Sequence, residues 1–278
     1  MAMPDVEQEV FLEAMRLKYG YDFRGYNRAS LARRLALVRK ACGAEHTAQL
    51  IAMALRQPEI AAEFIRHMSI VHSDLFRDPA VFRNIRTTVC RDLSTYPFFK
   101  VWHAGCASGE EVYSLAIILH ECGLYGRAQI YATDFNACAL DQAVAGRFDL
   151  DRWSSFERNY REAGGSRSLD EHFERGGRYM HARPHLGQHV TFAQHNLVCD
   201  GVFGEMNLIM CRNVMIYFTP ELKTRVLRLF HDSLAHRGFL CIGRGETLED
   251  AVSAGHFIDL SASDGLYRAW HAPAEARA

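Results

Sequence analysis

The sequence predicts an α/β protein: a doubly wound, mostly parallel sheet closed by a terminal antiparallel hairpin and preceded by an all-helical segment. Three observations predict it. Short apolar runs without alternation recur at 99–104, 129–134, 207–211 and 239–242, as strands buried on both faces should read. Helical periodicity lies between the last two: Thr219 reads as a cap, Pro220 takes the first position, and Leu222, Val226, Leu227, Phe230 and Leu234 share one face. Finally, 256–260 and 266–270 flank Asp264-Gly265, a hairpin signal. Strands alternating with helices imply a parallel sheet covered on both sides, although propensities alone leave other α/β folds open.

The first 70 or so residues show no strand-like alternation. Phe11, Ala14, Met15 and Leu17 begin one helical stripe; Leu31, Leu35 and Val38 continue another after Asn27 or Ser30 as cap. A third helix is expected from His46 to Leu55 and a fourth from Pro58 to Met68, with proline in its opening turn.

Composition narrows the function. Arginine and lysine (32) balance aspartate and glutamate (33), so no global basic field argues for nucleic acid. No basic-then-apolar leader opens the chain and no apolar run reaches the roughly 18 residues of a membrane span, so a cytoplasmic location without membrane insertion is expected. The eight cysteines form no C-x-x-C pair and read as reduced, mostly buried small residues. His181, His185 and His189 recur every fourth residue, but Pro184 and Gly187 would break the helix that such a metal face needs, so no metal is expected there.

The stretch from Val101 to Ser114 is the most informative. A buried strand runs into a loop with Gly105 and Gly109 and then into a helix carrying Val112, Leu115, Ala116 and Leu119 on its inner face. Such glycines permit a tight turn and close backbone approach by a nucleoside cofactor at the sheet's carboxyl edge. Glu110 and Glu111 at the helix start would repel a pyrophosphate, so a cationic ligand such as S-adenosylmethionine, with its ammonium and sulfonium, fits better. The plain alternative is that Ser108 and Glu111 merely form a capping box. Asp134, at the tip of the next strand, is where a carboxylate meets ribose hydroxyls; it could also be a helix cap.

The run Trp102-His103-Ala104-Gly105-Cys106-Ala107-Ser108-Gly109-Glu110-Glu111-Val112-Tyr113-Ser114 closely resembles the W-S-A-G-C-S-T-G-E-E-P-Y-S signature of the chemotaxis-receptor glutamate methyltransferases. Ser73-Asp74-Leu75-Phe76-Arg77-Asp78-Pro79 is similar to their T-x-F-F-R-D-P, and Cys211 to Phe218 to their C-R-N-V-x-I-Y-F. His195-Asn196-Leu197, Gly146-Arg147-Phe148 and Gly243-Arg244-Gly245-Glu246 fall where that family has its N-L, G-x-Y and G-x-S-E elements. The resemblance runs from about residue 10 to residue 270. Ser73 stands where the family has threonine, Leu75 for phenylalanine, Val112 for proline and Gly245 for serine; Leu75 is expected to reshape the pocket beside Arg77.

The resemblance implies an N-terminal all-helical domain (1–75), an S-adenosylmethionine-methyltransferase α/β domain (76–278), and a small β-subdomain inserted at 171–194, with Gly176-Gly177 turning its hairpin. It implies that Ser73, Arg77, Gly105, Glu111, Asp134, Asn196, Leu197, Asn213 and Val214 contact S-adenosyl-L-methionine and its product S-adenosyl-L-homocysteine. Arg77 and Tyr217 should face the reacting carboxylate. The acceptor would be an acidic protein, the cytoplasmic part of a chemoreceptor or similar signalling protein. The bland reading of Arg77 is an ion pair with Asp74 or Asp78.

Arg24, Arg28, Arg33, Arg34, Arg39 and Lys40 crowd the second helix; such a run is ordinarily a solvated face, and the resemblance offers an acidic receptor as its partner. Arg175-Gly176-Gly177-Arg178 reads as a turn rather than an RNA-binding tract. Two other functions stay open: transfer to a different carboxylate, and a non-turnover module that senses the cofactor and binds a partner.

Overall fold

The computed structural model describes residues 6–68 and 73–271. The opening residues 1–5, read above for a leader, and the stretch 69–72 before the expected domain boundary lie outside the described residues. The chain divides into two compact units: residues 1–70 with 196–200 and 217–226, and residues 71–195 with 201–216 and 227–278.

The described residues 6–68 of the first unit form the helices α1 (Val6–Tyr19), α2 (Arg28–Ala41), α3 (Thr47–Ala54) and α4 (Pro58–Met68). The inner face of α1 is Gln8, Phe11, Leu12 and Met15, one helical stripe; Leu17, placed on it by the sequence, is 70% exposed. Asn27, not Ser30, caps α2: its side chain accepts the amides of Ala29 and Ser30. Phe11 and Phe23 both meet Phe64 edge-on, at 5.0 and 5.3 Å between ring centroids. Phe64 is wholly buried, and its truncation to alanine should cost about 3–5 kcal/mol. Tyr26 bridges to Phe218 in an isolated antiparallel pair, with the rings 5.0 Å apart.

The second unit carries α5 (Pro79–Asn84), a π-turn (Ile85–Val89), α6 (Cys90–Leu93), β1 (Phe99–Ala104), α7 (Glu110–Glu121), β2 (Ala128–Asp134), α8 (Ala137–Ala145), β3 (Arg147–Asp149), α9 (Trp153–Glu162), β4 (Phe173–Gly176), β5 (Tyr179–Ala182) and β6 (Val190–Gln194). After it come β7 (Met206–Cys211), α10 (Pro220–Ser233), β8 (Leu234–Ile242), α11 (Glu249–Ser253), β9 (Phe257–Ser261) and β10 (Leu266–Ala269). Helix α10 begins in the first unit and ends in the second.

The seven-stranded sheet has the order β6-β2-β1-β7-β8-β10-β9. Strands β6, β2, β1, β7 and β8 are parallel, and β10 runs antiparallel to both β8 and β9. The order reverses between β1 and β7, so the carboxyl ends of those two strands define the crevice where such sheets take their ligands. The hairpin expected around Asp264-Gly265 is β9–β10; a Cβ on Gly265 would come within 2.3 Å of the Ile242 carbonyl oxygen, so glycine is required there. Helix α7 is buried from Val112 through Leu119 rather than along one stripe, as suits a helix covered on all sides.

A second sheet has the order β3-β5-β4. Its hairpin turns at Gly177 (φ +59°), with Gly176 paired to Tyr179. Only 173–182 of the expected insert lies in this sheet, and β3, from before it, completes the edge. Val190–Gln194, assigned to the insert by sequence, instead extends the main sheet in parallel beside β2.

Candidate active site

The loop leaving β1 is held in a conformation that few residues tolerate. Gly105 (φ +80°) passes so close to Val214 that a Cβ would sit 2.6 Å from its Cγ2, and Gly109 (φ +90°) leaves 2.9 Å to the Ala143 Cβ. Between them Ala107 is also left-handed (φ 48°), a state that costs a non-glycine residue ~1–2 kcal/mol. Asp134 at the end of β2 holds it there. Its Oδ2 accepts the Ala107 amide and its Oδ1 the Asn136 amide, both at 2.9 Å. Burial pushes the Asp134 carboxyl above its usual range, against the pull of the Asn136, Ala107 and Phe135 amides. A carboxylate offers about four lone-pair sites, so capacity remains for a hydroxyl donor.

Neither capping alternative holds. Gly109, not Ser108, precedes α7, and the Ser108 hydroxyl donates instead to Glu110 Oε2 at 2.6 Å. Asn136 caps α8, its side chain accepting the Cys138 amide, so Asp134 is not that helix's cap.

The two acids at the start of α7 each face an arginine, Glu110 lying 3.5 Å from Arg152 and Glu111 pairing with Arg212. Arg212, directly after β7 and with a side chain only 1% exposed, donates through Nη1 to Glu111 Oε2 (2.7 Å) and through Nη2 to Asp78 Oδ2 (2.6 Å). The same Nη1 reaches the Arg77 carbonyl at 3.0 Å. His103 Nδ1 lies 3.8 Å from Glu111 Oε1. Burial raises the Glu111 carboxyl, but Arg212 and His103 outweigh it, and the group ends below its ordinary range. Sequence reasoning misses the role of Arg212, because its acidic partners lie 101 and 134 residues away.

Arg212 thereby fixes the segment that carries Arg77. Phe76 (φ 54°) and Asp78 (φ 55°), on either side of Arg77, are both left-handed. Strain of that kind, ~1–3 kcal/mol per residue, persists only where neighbours over-determine it. The Phe76 amide donates to the Ser114 hydroxyl (2.8 Å), its ring packs on Phe82 and Tyr160, and Arg77's own amide reaches the Asp74 carbonyl at 3.2 Å. Asp74 and Asp78, the ion-pair partners considered for Arg77, pair with Arg152 and Arg212 respectively. The Ser73 carbonyl also accepts from Arg152. Leu75 is fully buried in the core, so it does not reshape a pocket surface as expected; Val112 is buried with it.

Beyond β7, Asn213 (φ 59°) is the fourth left-handed non-glycine residue around these loops. Glu246 holds it: Oε2 accepts the amides of Gly243 (2.6 Å) and Asn213 (3.1 Å), and Oε1 that of Ile216 (3.0 Å). Gly243 must lack a side chain, because a Cβ would meet the Asn213 nitrogens at 2.9 Å.

The remaining expected site residues, Asn196, Leu197 and Tyr217, fall in the first unit. Asn196 Oδ1 accepts the Val198 amide (3.0 Å), its own amide donates to Asp200 (2.7 Å), and Leu197 is buried. The Tyr217 carbonyl accepts the Asn27 amide at 2.7 Å, and the Arg34 guanidinium lies 4.9 Å from the centre of its ring. Arg34 is buried and donates to the carbonyls of His67 and Met68, so it is a fixture of the helical unit rather than part of a solvated face; Arg33 is exposed.

A mostly parallel sheet of this order, with a glycine-containing loop after β1 and a buried carboxylate at the tip of β2, is arranged as a nucleoside-cofactor-binding α/β domain. Residues 71–263 match the S-adenosylmethionine-binding domain of the CheR methyltransferases and residues 7–69 their all-alpha domain. The chain belongs to the CheR methyltransferase family. A relative from Pseudomonas putida that carries the name Cher3 is 40% identical over 264 residues, covering 95% of this chain and 97% of the relative. The chemotaxis protein methyltransferase of Listeria monocytogenes is 27% identical over 261 residues, covering 91% and 95%. Of a 104.1 kDa Rhodobacter capsulatus protein, 33% identical over 220 residues, the chain spans 22%. Among the described residues no helix is long and apolar enough to cross a membrane.

Proposed function

We propose that this methyltransferase forms methyl esters on glutamate side chains of a chemoreceptor or receptor-like signalling protein, in the cytoplasm. The observation that carries the reading is Arg77, presented between two left-handed residues and braced from behind by Arg212. A guanidinium carried on a backbone held in this way suits capture of a carboxylate.

S-adenosylmethionine supplies a methyl group activated by its sulfonium. Asp134 would hold the ribose hydroxyls, and Ser73, Gly105, Glu111, Asn213 and Val214 would line the pocket with it. The lone-pair capacity left on Asp134 fits that group.

A glutamate of pKa ≈ 4.3 is ionised at neutral pH, so no general base is required. Catalysis then rests on positioning, where well-held reactants gain at best ~7–11 kcal/mol. Arg77 binds the incoming carboxylate through one oxygen, leaving the other free to attack. Charge on both reactants falls during the transfer, so a dry site favours the transition state.

The test uses S-adenosylmethionine labelled in its methyl group and receptor cytoplasmic fragments carrying glutamate or alanine at candidate positions. The expected product is a label on the glutamate fragments alone, released as methanol by mild base. Base-stable label, or equal labelling of the alanine fragments, would contradict ester formation on glutamate.

A further inference from the structure

We propose that His120, His172 and His185 form a binding site for a borderline divalent metal ion, best matched by Zn²⁺, which fastens the small sheet to the end of α7. One ring nitrogen from each residue lies within 4.8 Å of the others. Zinc bonds to imidazole at ~2.0–2.1 Å, which in tetrahedral geometry separates ligand nitrogens by about 3.3 Å. Closing to that spacing asks for side-chain rotation rather than backbone movement.

The three residues come from separate elements of the second unit. His120 sits in the last turn of α7 and is exposed; His172 stands directly before β4 and is 1% exposed; His185 lies in the 3-10 turn Pro184–Gly187 after β5. The fold assembles a set that the four-residue spacing of His181, His185 and His189 did not predict. His181 is exposed on β5, and His189 packs edge-on against Tyr125 at 5.1 Å.

Unmet hydrogen-bonding capacity is concentrated in this cluster. A neutral imidazole carries one donor and one acceptor, and buried ones are ordinarily satisfied. Both ring nitrogens of His172 and Nε2 of His185 are buried without a hydrogen-bond partner.

A supporting carboxylate is in place. Glu121 Oε1 lies 3.5 Å from His172 Nε2, and Glu121 is itself held by Arg86 (2.7 Å) and the Tyr160 hydroxyl. A metal-bound histidine typically donates its second ring N–H to such a group, which would leave His172 Nδ1 for the ion. Three imidazoles suit zinc, and the exposed side of His120 leaves a fourth position for water.

The test titrates ZnCl₂ calorimetrically into the metal-stripped full chain, with thermal unfolding followed in parallel. One site per chain is expected, with Zn²⁺ raising the melting temperature. His120→Ala, at an exposed position, should keep the metal-free melting temperature yet bind Zn²⁺ at least tenfold more weakly, and His185→Ala should do the same. His231→Ala, outside the cluster, should bind as the wild type does. No strong site in the wild type, or one that neither His120→Ala nor His185→Ala weakens, would overturn the assignment.

Discussion

The helical unit and the α/β unit solve different problems with the same residue types. Among the described residues, every non-glycine residue with positive φ lies in the α/β unit: Phe76, Asp78, Ala107, Asn213 and Arg237. The first four sit on the loops around the carboxyl ends of β1 and β7. Each unit also buries an arginine. In the helical unit Arg34 meets neutral carbonyls and the Tyr217 ring. In the α/β unit Arg212 meets two carboxylates and the backbone of a strained turn. One arginine closes a helix end; the other fixes a working geometry. Local rules break where a fold prepares chemistry, and charge placed behind the loops keeps them broken.

Removing each arginine should sharpen that contrast. Arg212→Met leaves Glu111 and Asp78 without their buried counter-charge, so a loss of about 3–5 kcal/mol is expected, measured by urea unfolding. S-adenosylhomocysteine affinity should fall with it. Arg77→Ala should lower kcat by about 100-fold, or ~2.7 kcal/mol, with cofactor affinity changed much less; an unchanged kcat would remove Arg77 from the chemistry. Arg34→Ala should destabilise the helical unit by about 1–3 kcal/mol through the unsatisfied His67 and Met68 carbonyls, read by unfolding, while S-adenosylhomocysteine affinity persists.

The next effect depends on pH. Burial raises the Asp134 carboxyl, so its ionised form costs the fold stability at neutral pH, and that cost is relieved as pH falls through the raised value. Ribose hydroxyls need the ionised form. S-adenosylhomocysteine affinity should therefore weaken on acidification at a pH above the ordinary aspartate value of ~3.9, and Asp134→Asn should abolish that dependence. The smallest effect is expected at the exposed Arg33, where Arg33→Glu should raise the acceptor KM a few-fold at low salt and less at high salt.

What was legible in the sequence follows from how local its cause is. Strand β1 matched its apolar run from 99 to 104 because both its faces are buried. Strand β8 begins at Leu234, well before the apolar run at 239, because its first residues are partly exposed and include the left-handed Arg237. Strand β6 was read as part of the insert because an edge strand is half exposed and lacks the apolar signature. Asp134 was legible as a carboxylate at a strand tip, a feature written within a few residues. Arg212, Glu246 and the three-histidine cluster were not, because their meaning arises only when distant segments meet. Arg34 shows the same limit: its place within a basic run suggested solvent, whereas helix phase turned it inward.

The proposed S-adenosylmethionine pocket lies among these strained, charge-held loops. It is tested most directly by titrating S-adenosylhomocysteine calorimetrically into the wild type and Asp134→Ala. Micromolar binding by the wild type, weakened at least 100-fold in a variant that still unfolds cooperatively, is the predicted result. Equal affinity in the two proteins, or no binding by folded wild type, would contradict it.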